Sequence, residues 1–400
     1  MRTSYLASLT LAALVCCTER APPQSEAERT DSAGVEIVSN FRESESLPRY
    51  QTSTAPLLQI SSENYFGPPL YRVTDVVPLP NGGLAVASAG SHSVLVFGPA
   101  GDFVRALGRE GTGPGEFRTV GAVALVPPDS LVAFDYQLGR LTFFGPAGAV
   151  GRTLDVSEFL SSTGGFTQLH GVPDGFILEG EAGLDALGAE QTARGNAYSF
   201  RLDLLGDSIQ AYGPFPGREV FRTDLLMGSL PFGAQLFSGT RGDRLVIGTA
   251  DVPEIREFRP DGSIARIIRW PDHEREVTDE RAGQYVDHLA EREPPGERLQ
   301  AREVLVDVPN SAIAPAYHEL IISSSGTVWV GNYPGPEALI PETPGPARSW
   351  LLLDADGLLA GSVTTPAGFT LMAVQDDRVY GAYRDDMGVE SVRVYGLETR

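Results

Sequence analysis

One segment of this chain is written twice. Shifted by 47 residues, Val73–Leu107 falls on Val120–Leu154 without a gap. Val73 meets Val120, Leu84 meets Leu131, Arg105 meets Arg152 and Leu107 meets Leu154. Phe97-Gly98-Pro99-Ala100-Gly101 and Phe144-Gly145-Pro146-Ala147-Gly148 are identical. Each copy consists of short apolar runs bounded by Gly and Pro, the punctuation of strands and turns. A repeat of this length and composition is the signature of a β-propeller blade.

The first copy divides into strands over Val73–Leu79, Leu84–Ser88, Ser93–Phe97 and Phe103–Leu107, with turns at Pro80-Asn81-Gly82-Gly83 and Pro99-Ala100-Gly101. The second repeats this from Val120 to Leu154. Looser units open at Phe166–Leu169, Gly233–Phe237, His318–Ile322 and Phe369–Val374. The expected fold is all-β: a six-bladed β-propeller, with seven blades as the alternative. The sixth unit lacks a clear fourth strand, and Leu57–Ile60 is expected to supply it and close the ring. A helical insertion is expected near 276–306. Thr278 followed by Asp279 and Glu280 is a helix start, and Ala282, Tyr285, Val286 and Leu289 keep helical spacing. It reads as a structural cover.

The N-terminus reads as a targeting segment. Arg2 precedes an apolar run, Tyr5–Val15, too short to span a bilayer as a helix. It ends in Leu14-Val15-Cys16-Cys17, which resembles the bacterial lipobox. This divides the chain into a lipoprotein-type signal peptide at 1–16, lipidation at Cys17, a flexible polar tether over 17–33 and one propeller domain over 34–400. The chain has only two cysteines, so the mature domain forms no internal disulfide. The expected location is the bacterial cell envelope, reached by export and held through the lipid. A formal charge of −21 argues against nucleic-acid backbones and anionic lipid surfaces, both of which ask for basic patches.

The run Leu107-Gly108-Arg109-Glu110-Gly111-Thr112-Gly113-Pro114-Gly115-Glu116-Phe117 fits neither dinucleotide nor Walker spacing. It reads as a crossover between blades whose glycines take positive φ. This Gly-rich loop, the Pro-Gly-Glu-Phe that ends it and the following strand–turn–strand resemble the NHL repeat of exported bacterial lipoproteins. Asp135 and Arg140 match the Asp…Arg pair of such a blade. The resemblance implies a six-bladed ring and a structural role for that pair, bracing the loop between second and third strands. It is sharp over 73–154 and looser elsewhere. Asp354-Ala355-Asp356-Gly357 and Arg241-Gly242-Asp243 read as turns. The histidines, His92, His170, His273, His288 and His318, are dispersed. No zincin, redox or hydrolase-elbow motif is present.

These features point to a non-enzymatic binding or scaffold protein, without cofactor or metal and monomeric, whose partner is a protein or glycan. The candidate binding face is the set of loops between second and third strands: His92, Tyr136, Glu181, Asp251, Asn332, Tyr333 and Arg384. The alternative is a metal-dependent lactonase or sugar-processing enzyme of the six-bladed type. It would need carboxylates and amides on the inner strands. The two clear inner strands offer only Asp75.

Overall fold

The computed structural model describes residues 26–42, 46–126, 130–145, 147–159, 166–181, 187, 191–339 and 344–399. The signal peptide, Cys17 and most of the tether lie outside the described residues. Strands dominate, and they fall into antiparallel units of four hydrogen-bonded consecutively. The duplicated segment gives the first two units. Val73–Pro78, Leu84–Ser88, Ser93–Phe97 and Phe103–Leu107 form one; Val120–Val126, Ser130–Asp135, Arg140–Phe144 and Val150–Asp155 form the other. The repeat extends to register. Leu84 faces Phe97 as Leu131 faces Phe144, and a bulge falls at Val96/Phe97 as at Phe143/Phe144.

The third unit opens with Phe166–Val172 and Gly175–Glu181, and continues into a long hairpin of Thr192–Asp203 and Ser208–Arg222. The fourth is Phe237–Arg241, Arg244–Gly248, Glu254–Phe258 and Ile264–Arg269. Its inner strand begins four residues later than Gly233. The fifth is Glu319–Ile322, Val328–Gly331, Arg348–Leu353 and Leu359–Thr365. The sixth is Phe369–Gln375, Arg378–Arg384 and Glu390–Thr399, completed by Leu58–Ser61.

Among the described residues the first strand of each unit neighbours the first strands before and after it. The sixth neighbours the first, so the inner strands form a cycle. The apolar cores follow the same plan, one between each pair of adjacent units. Leu79, Ala87, Val123 and Phe144 fill the first seam; Phe134, Leu141, Phe176 and Leu178 fill the second. Ile177, Tyr212, Leu245 and Phe258 fill the third; Val246, Ile255, Val328 and Leu353 the fourth. Trp329, Trp350, Phe369 and Tyr395 fill the fifth, and Ile60, Val86, Phe97 and Val394 the sixth. Both faces of each sheet are therefore buried against neighbours. That is why the strands read as near-continuous apolar runs.

The N-terminus departs from the sequence expectation. Ala27–Ser32, assigned above to the tether, is a strand. It pairs with Val35–Asn40, which lies parallel to Ile264–Arg269 and widens the fourth unit. Ala27–Ser32 is mostly solvent-exposed, and its polar letters hid it because its partner supplies the backbone pairing. Arg49–Thr52 runs parallel to Leu359–Thr365 and also pairs with the end of Glu390–Thr399, joining the fifth and sixth units.

The helical insertion forms as expected. Helices span Asp279–Glu291 and Arg298–Leu305, and Thr278 Oγ1 accepts from Arg281 N at the first helix's start. Arg302 binds Asp287 at 2.6 Å and ties the two together. Tyr285 meets Phe232 edge to face with centroids 6.0 Å apart, while the Arg281 guanidinium lies 5.1 Å over the same ring. The insertion is thus seated on the segment entering the fourth unit.

Candidate functional site: the axial channel

The cycle of inner strands encloses a cavity of about 690 Å³. Its size is that of a small-molecule site, about 300–1,000 Å³. Each inner strand lines this space with a run of consecutive residues, Thr74 to Pro78 in the first unit and His318 to Ile322 in the fifth. Most are small or apolar, but a polar group faces in from several units. Thr74 and Asp75 come from the first, Gln168 and His170 from the third, Ser238 and Thr240 from the fourth. His318, Glu319 and Arg348 come from the fifth, and Thr370 from the sixth.

Glu319, Gly331 and Trp350 lie abreast on three adjacent strands of the fifth unit. Gly331 has no side chain to fill the gap. A Cβ there would stand 3.1 Å from the Trp350 ring and 3.2 Å from the Glu319 Cβ. Arg348, two residues before Trp350, reaches the channel, and its Nη1 donates to Glu319 Oε2 at 3.4 Å. Burial pushes the Glu319 carboxyl up to about 7, against the pull of the Arg348 charge. The side chain keeps 26% of its accessible surface where it lines the channel, yet protein mass surrounds it and desolvates it.

Burial also shifts Asp75 and the two histidines of the channel toward their uncharged forms. Burial pushes the Asp75 carboxyl up to about 6, although its oxygens accept from Val76 N at 2.8 Å and Val123 N at 3.0 Å. Those bonds lace the first inner strand to the second, so Asp75 acts in the ring's assembly. Burial lowers His170 to about 4, and its Nε2 pairs with Ser238 Oγ at 2.9 Å. Burial and the Arg348 charge lower His318 to about 3; its ring packs on Phe237 and Tyr333. Among the described residues no three His, Cys, Asp or Glu are grouped to hold a metal ion.

These shifts oppose one another in their effect on stability. A carboxyl raised in the folded state contributes stability below its unfolded value and loses it as pH rises through the folded value. Glu319 and Asp75 therefore weaken the fold as pH climbs from about 4 through about 7. The lowered histidines contribute above about 6.5 and lose that contribution as pH falls through about 4 and about 3. Glu319→Gln is expected to gain on the order of 2 kcal/mol over the parent at about pH 8, and nothing at about pH 4. Urea titrations at the two pH values check this; an equal effect at both would mean that Glu319 does not titrate as described.

Of the residues expected to form a binding face, His92, Tyr136, Asp251, Asn332 and Tyr333 lie between second and third strands, while Glu181 and Arg384 end second strands, and several are occupied by structure. Glu181 is 7% exposed and accepts from the Arg218 backbone and guanidinium. Asp251 is paired with Arg194, and Arg384 donates to Glu390 at 2.6 Å. His92 sits at φ 52° with Nδ1 2.7 Å from Arg118 O. Tyr136 lies over Gly121, where a Cβ would come within 2.3 Å of its ring. Asn332 is exposed, and its backbone N donates to Ser349 O. Tyr333 adjoins the channel through His318.

Asp135 and Arg140 brace the crossover before their unit. Asp135 is 1% exposed and accepts from Arg118 N, Thr119 N, Gln137 N and Leu138 N. Arg140 donates to the carbonyls of Thr112, Gly113 and Glu116. The two are opposite in register, yet no hydrogen bond joins them among the described residues. The Gly-rich crossover uses its own amides: Gly111 N donates to Phe117 O, Phe117 N to Arg109 O and Gly113 N to Glu116 Oε2. Asp354 Oδ1 accepts from Asp356 N and Leu358 N and closes a strand turn.

The channel residues escaped the sequence reading because they stand alone in sequence. His170 and His318 belong to the dispersed histidines, and only ring closure puts both into one cavity. Their signal was polarity on an inner strand: Gln168, His170, Ser238, Thr240 and Glu319 interrupt runs otherwise meant for burial.

No family model matches the chain, and no curated protein matches it. Solved structures do. A Bacteroides vulgatus member of the DUF4221 family matches at 12% identity over 88% of this chain and 99% of its own, with a TM-score of 0.53. A Bacteroides fragilis protein described as exported matches at 11% identity over 91% and 99%, with a TM-score of 0.50. Virginiamycin B lyase from Staphylococcus aureus matches at 9% identity over 86% and 99%, with a TM-score of 0.42.

Proposed function

We propose that this chain is an exported, lipid-anchored β-propeller of six NHL-like blades that binds a small polar ligand in its axial channel without transforming it. The channel carries the reading. A cavity of about 690 Å³ brings ionisable and hydroxyl side chains from several blades to one space. Rings of this kind gather scattered residues into one rigid site. Six blades are supported by the cycle of inner strands and by one apolar core per seam. Export and the Cys17 lipid rest on the N-terminal sequence. The protein is taken to act as a monomer, and its ligand is glycan-sized or smaller.

A plug tests the site. Thr370 lines the cavity and is exposed to it. Thr370→Trp is expected to fill the channel while leaving the seams intact. Native mass spectrometry after incubation with a small-molecule extract should show one adduct on the parent and none on the variant. An adduct retained by a folded Thr370→Trp protein would move the site away from the channel.

One observation favours the enzyme as a second reading. A carboxyl held near 7, as Glu319 is, can pass a proton in either direction at neutral pH. Turnover on a lactone and ester panel that Glu319→Gln abolishes would replace binding by catalysis.

A further inference from the structure

Charge decides what the channel can hold. Of the described side chains that line it, Arg348 is the one Lys or Arg. Asp75 already has both oxygens on backbone amides. His170 is engaged by Ser238, and His318 is packed between Phe237 and Tyr333. Neither histidine gains a proton near neutral pH, because burial drives both down. Below about pH 6 the charge balance of the cavity then rests on Arg348 and Glu319, and above it the Asp75 carboxylate adds a negative charge held by its two amides.

Their contact is poor. A guanidinium offers a planar fork that matches a carboxylate through two parallel bonds. Here Glu319 takes a single bond from Nη1 at 3.4 Å, beyond the usual charge-assisted range of about 2.7–2.9 Å. Strand register holds the Glu319 backbone abreast of Gly331, which limits how its short side chain can approach the fork. A free carboxylate arriving from the channel has no such restraint.

We propose that the channel ligand is a small organic carboxylate held bidentately by Arg348, and that Glu319 takes up a proton and yields the guanidinium to it. This rests on the channel reading above. The proton comes from solvent, so binding consumes one proton wherever Glu319 starts ionised. Affinity must then fall as pH rises past the Glu319 titration, because an ionised Glu319 competes for Arg348 and repels the ligand. Asp75, His170 and His318 are the other titratable groups facing the cavity. The histidines stay neutral above about pH 4, and Asp75 ionises at about 6, below Glu319, so the fall above about pH 7 belongs to Glu319.

Isothermal titration calorimetry with D-glucuronate, D-glucose and D-glucosamine tests the sign of charge on one sugar frame. At about pH 5.5 D-glucuronate is expected to bind, with the other two roughly tenfold weaker or silent. At about pH 8.5 its affinity should fall by roughly tenfold. Arg348→Met should remove binding, and Arg348→Lys, which keeps the charge and loses the fork, should fall between. Glu319→Gln should bind at about pH 5.5 like the parent and keep that affinity at about pH 8.5. Circular dichroism of each variant controls for folding. Equal or tighter binding of D-glucose or D-glucosamine, absence of D-glucuronate binding at both pH values, or a folded Arg348→Met variant with unchanged affinity would overturn the carboxylate. If D-glucose binds and Thr370→Trp abolishes it, the channel stands and only the ligand class falls. If D-glucuronate binding survives Thr370→Trp, both fall.

Discussion

A chain truncated through residue 62 is expected to lose its cooperative unfolding transition. The truncation removes strands from three units at once. Leu58–Ser61 closes the sixth, Arg49–Thr52 joins the fifth to the sixth, and Val35–Asn40 covers the edge of the fourth. Ile60 is 1% exposed and Val38 fully buried. Losing one buried aliphatic side chain of this kind costs about 2–5 kcal/mol. Asn40 adds a polar lock between units: its Nδ2 donates to Arg269 O and Gly357 O, and its Oδ1 accepts from Leu359 N. Together these are comparable with the whole stability of an ordinary domain, about 5–15 kcal/mol. Truncation through 25 should leave the melting temperature unchanged, and truncation through 32 should lower it only slightly, since Ala27–Ser32 is mostly exposed. Truncation through 41 should fall well below both. Differential scanning calorimetry orders the four. A truncation through 62 that melts like one through 25 would show that the closure contributes nothing.

The largest effect of a single side chain is expected at Asp135. Its carboxylate gathers four backbone amides from two loops at 2.6–3.1 Å in a site that is 1% exposed. Asp135→Ala leaves all four donors without their acceptor, one of them buried and three partly so, and a buried unsatisfied group costs about 1–3 kcal/mol. Because the loops can relax together, the sum is not additive; a loss of about 3–5 kcal/mol is expected. Arg140→Met should cost less, about 1–2 kcal/mol, since part of the crossover it holds faces water. Urea unfolding measures both. A change below about 1 kcal/mol for Asp135→Ala would mean that water replaces the carboxylate there.

The repeat made the first two units legible nearly to the residue, because identical turns impose identical registers. The strand Ser208–Arg222 was not legible. Gly213, Pro214, Pro216 and Gly217 interrupt it and read as loop, whereas bulges against Thr192–Asp203 absorb them. The N-terminal strands were hidden for another reason. Periodicity reports local burial, and Val35–Asn40 acquires its partner from residues more than 220 positions away. The channel was hidden likewise: Glu319 and His170 are ordinary polar letters until the cycle of strands faces them toward a common axis. Side-chain chemistry could not reveal that Glu181, Asp251 and Arg384 were already engaged.

Ring closure also sets a clock on synthesis. Ser61 is registered with Ser391, so the strand made early pairs with one made 330 residues later. At about 5–20 residues per second that interval is roughly 15–70 s. Loop closure over such a length adds little to the equilibrium cost but slows the search for the partner. Through that time the early strand and the last-formed seam both present open hydrogen-bonding edges to any neighbouring chain. The time of greatest vulnerability to mispairing is therefore the end of translation, when five seams can form and the sixth still waits for its final strand.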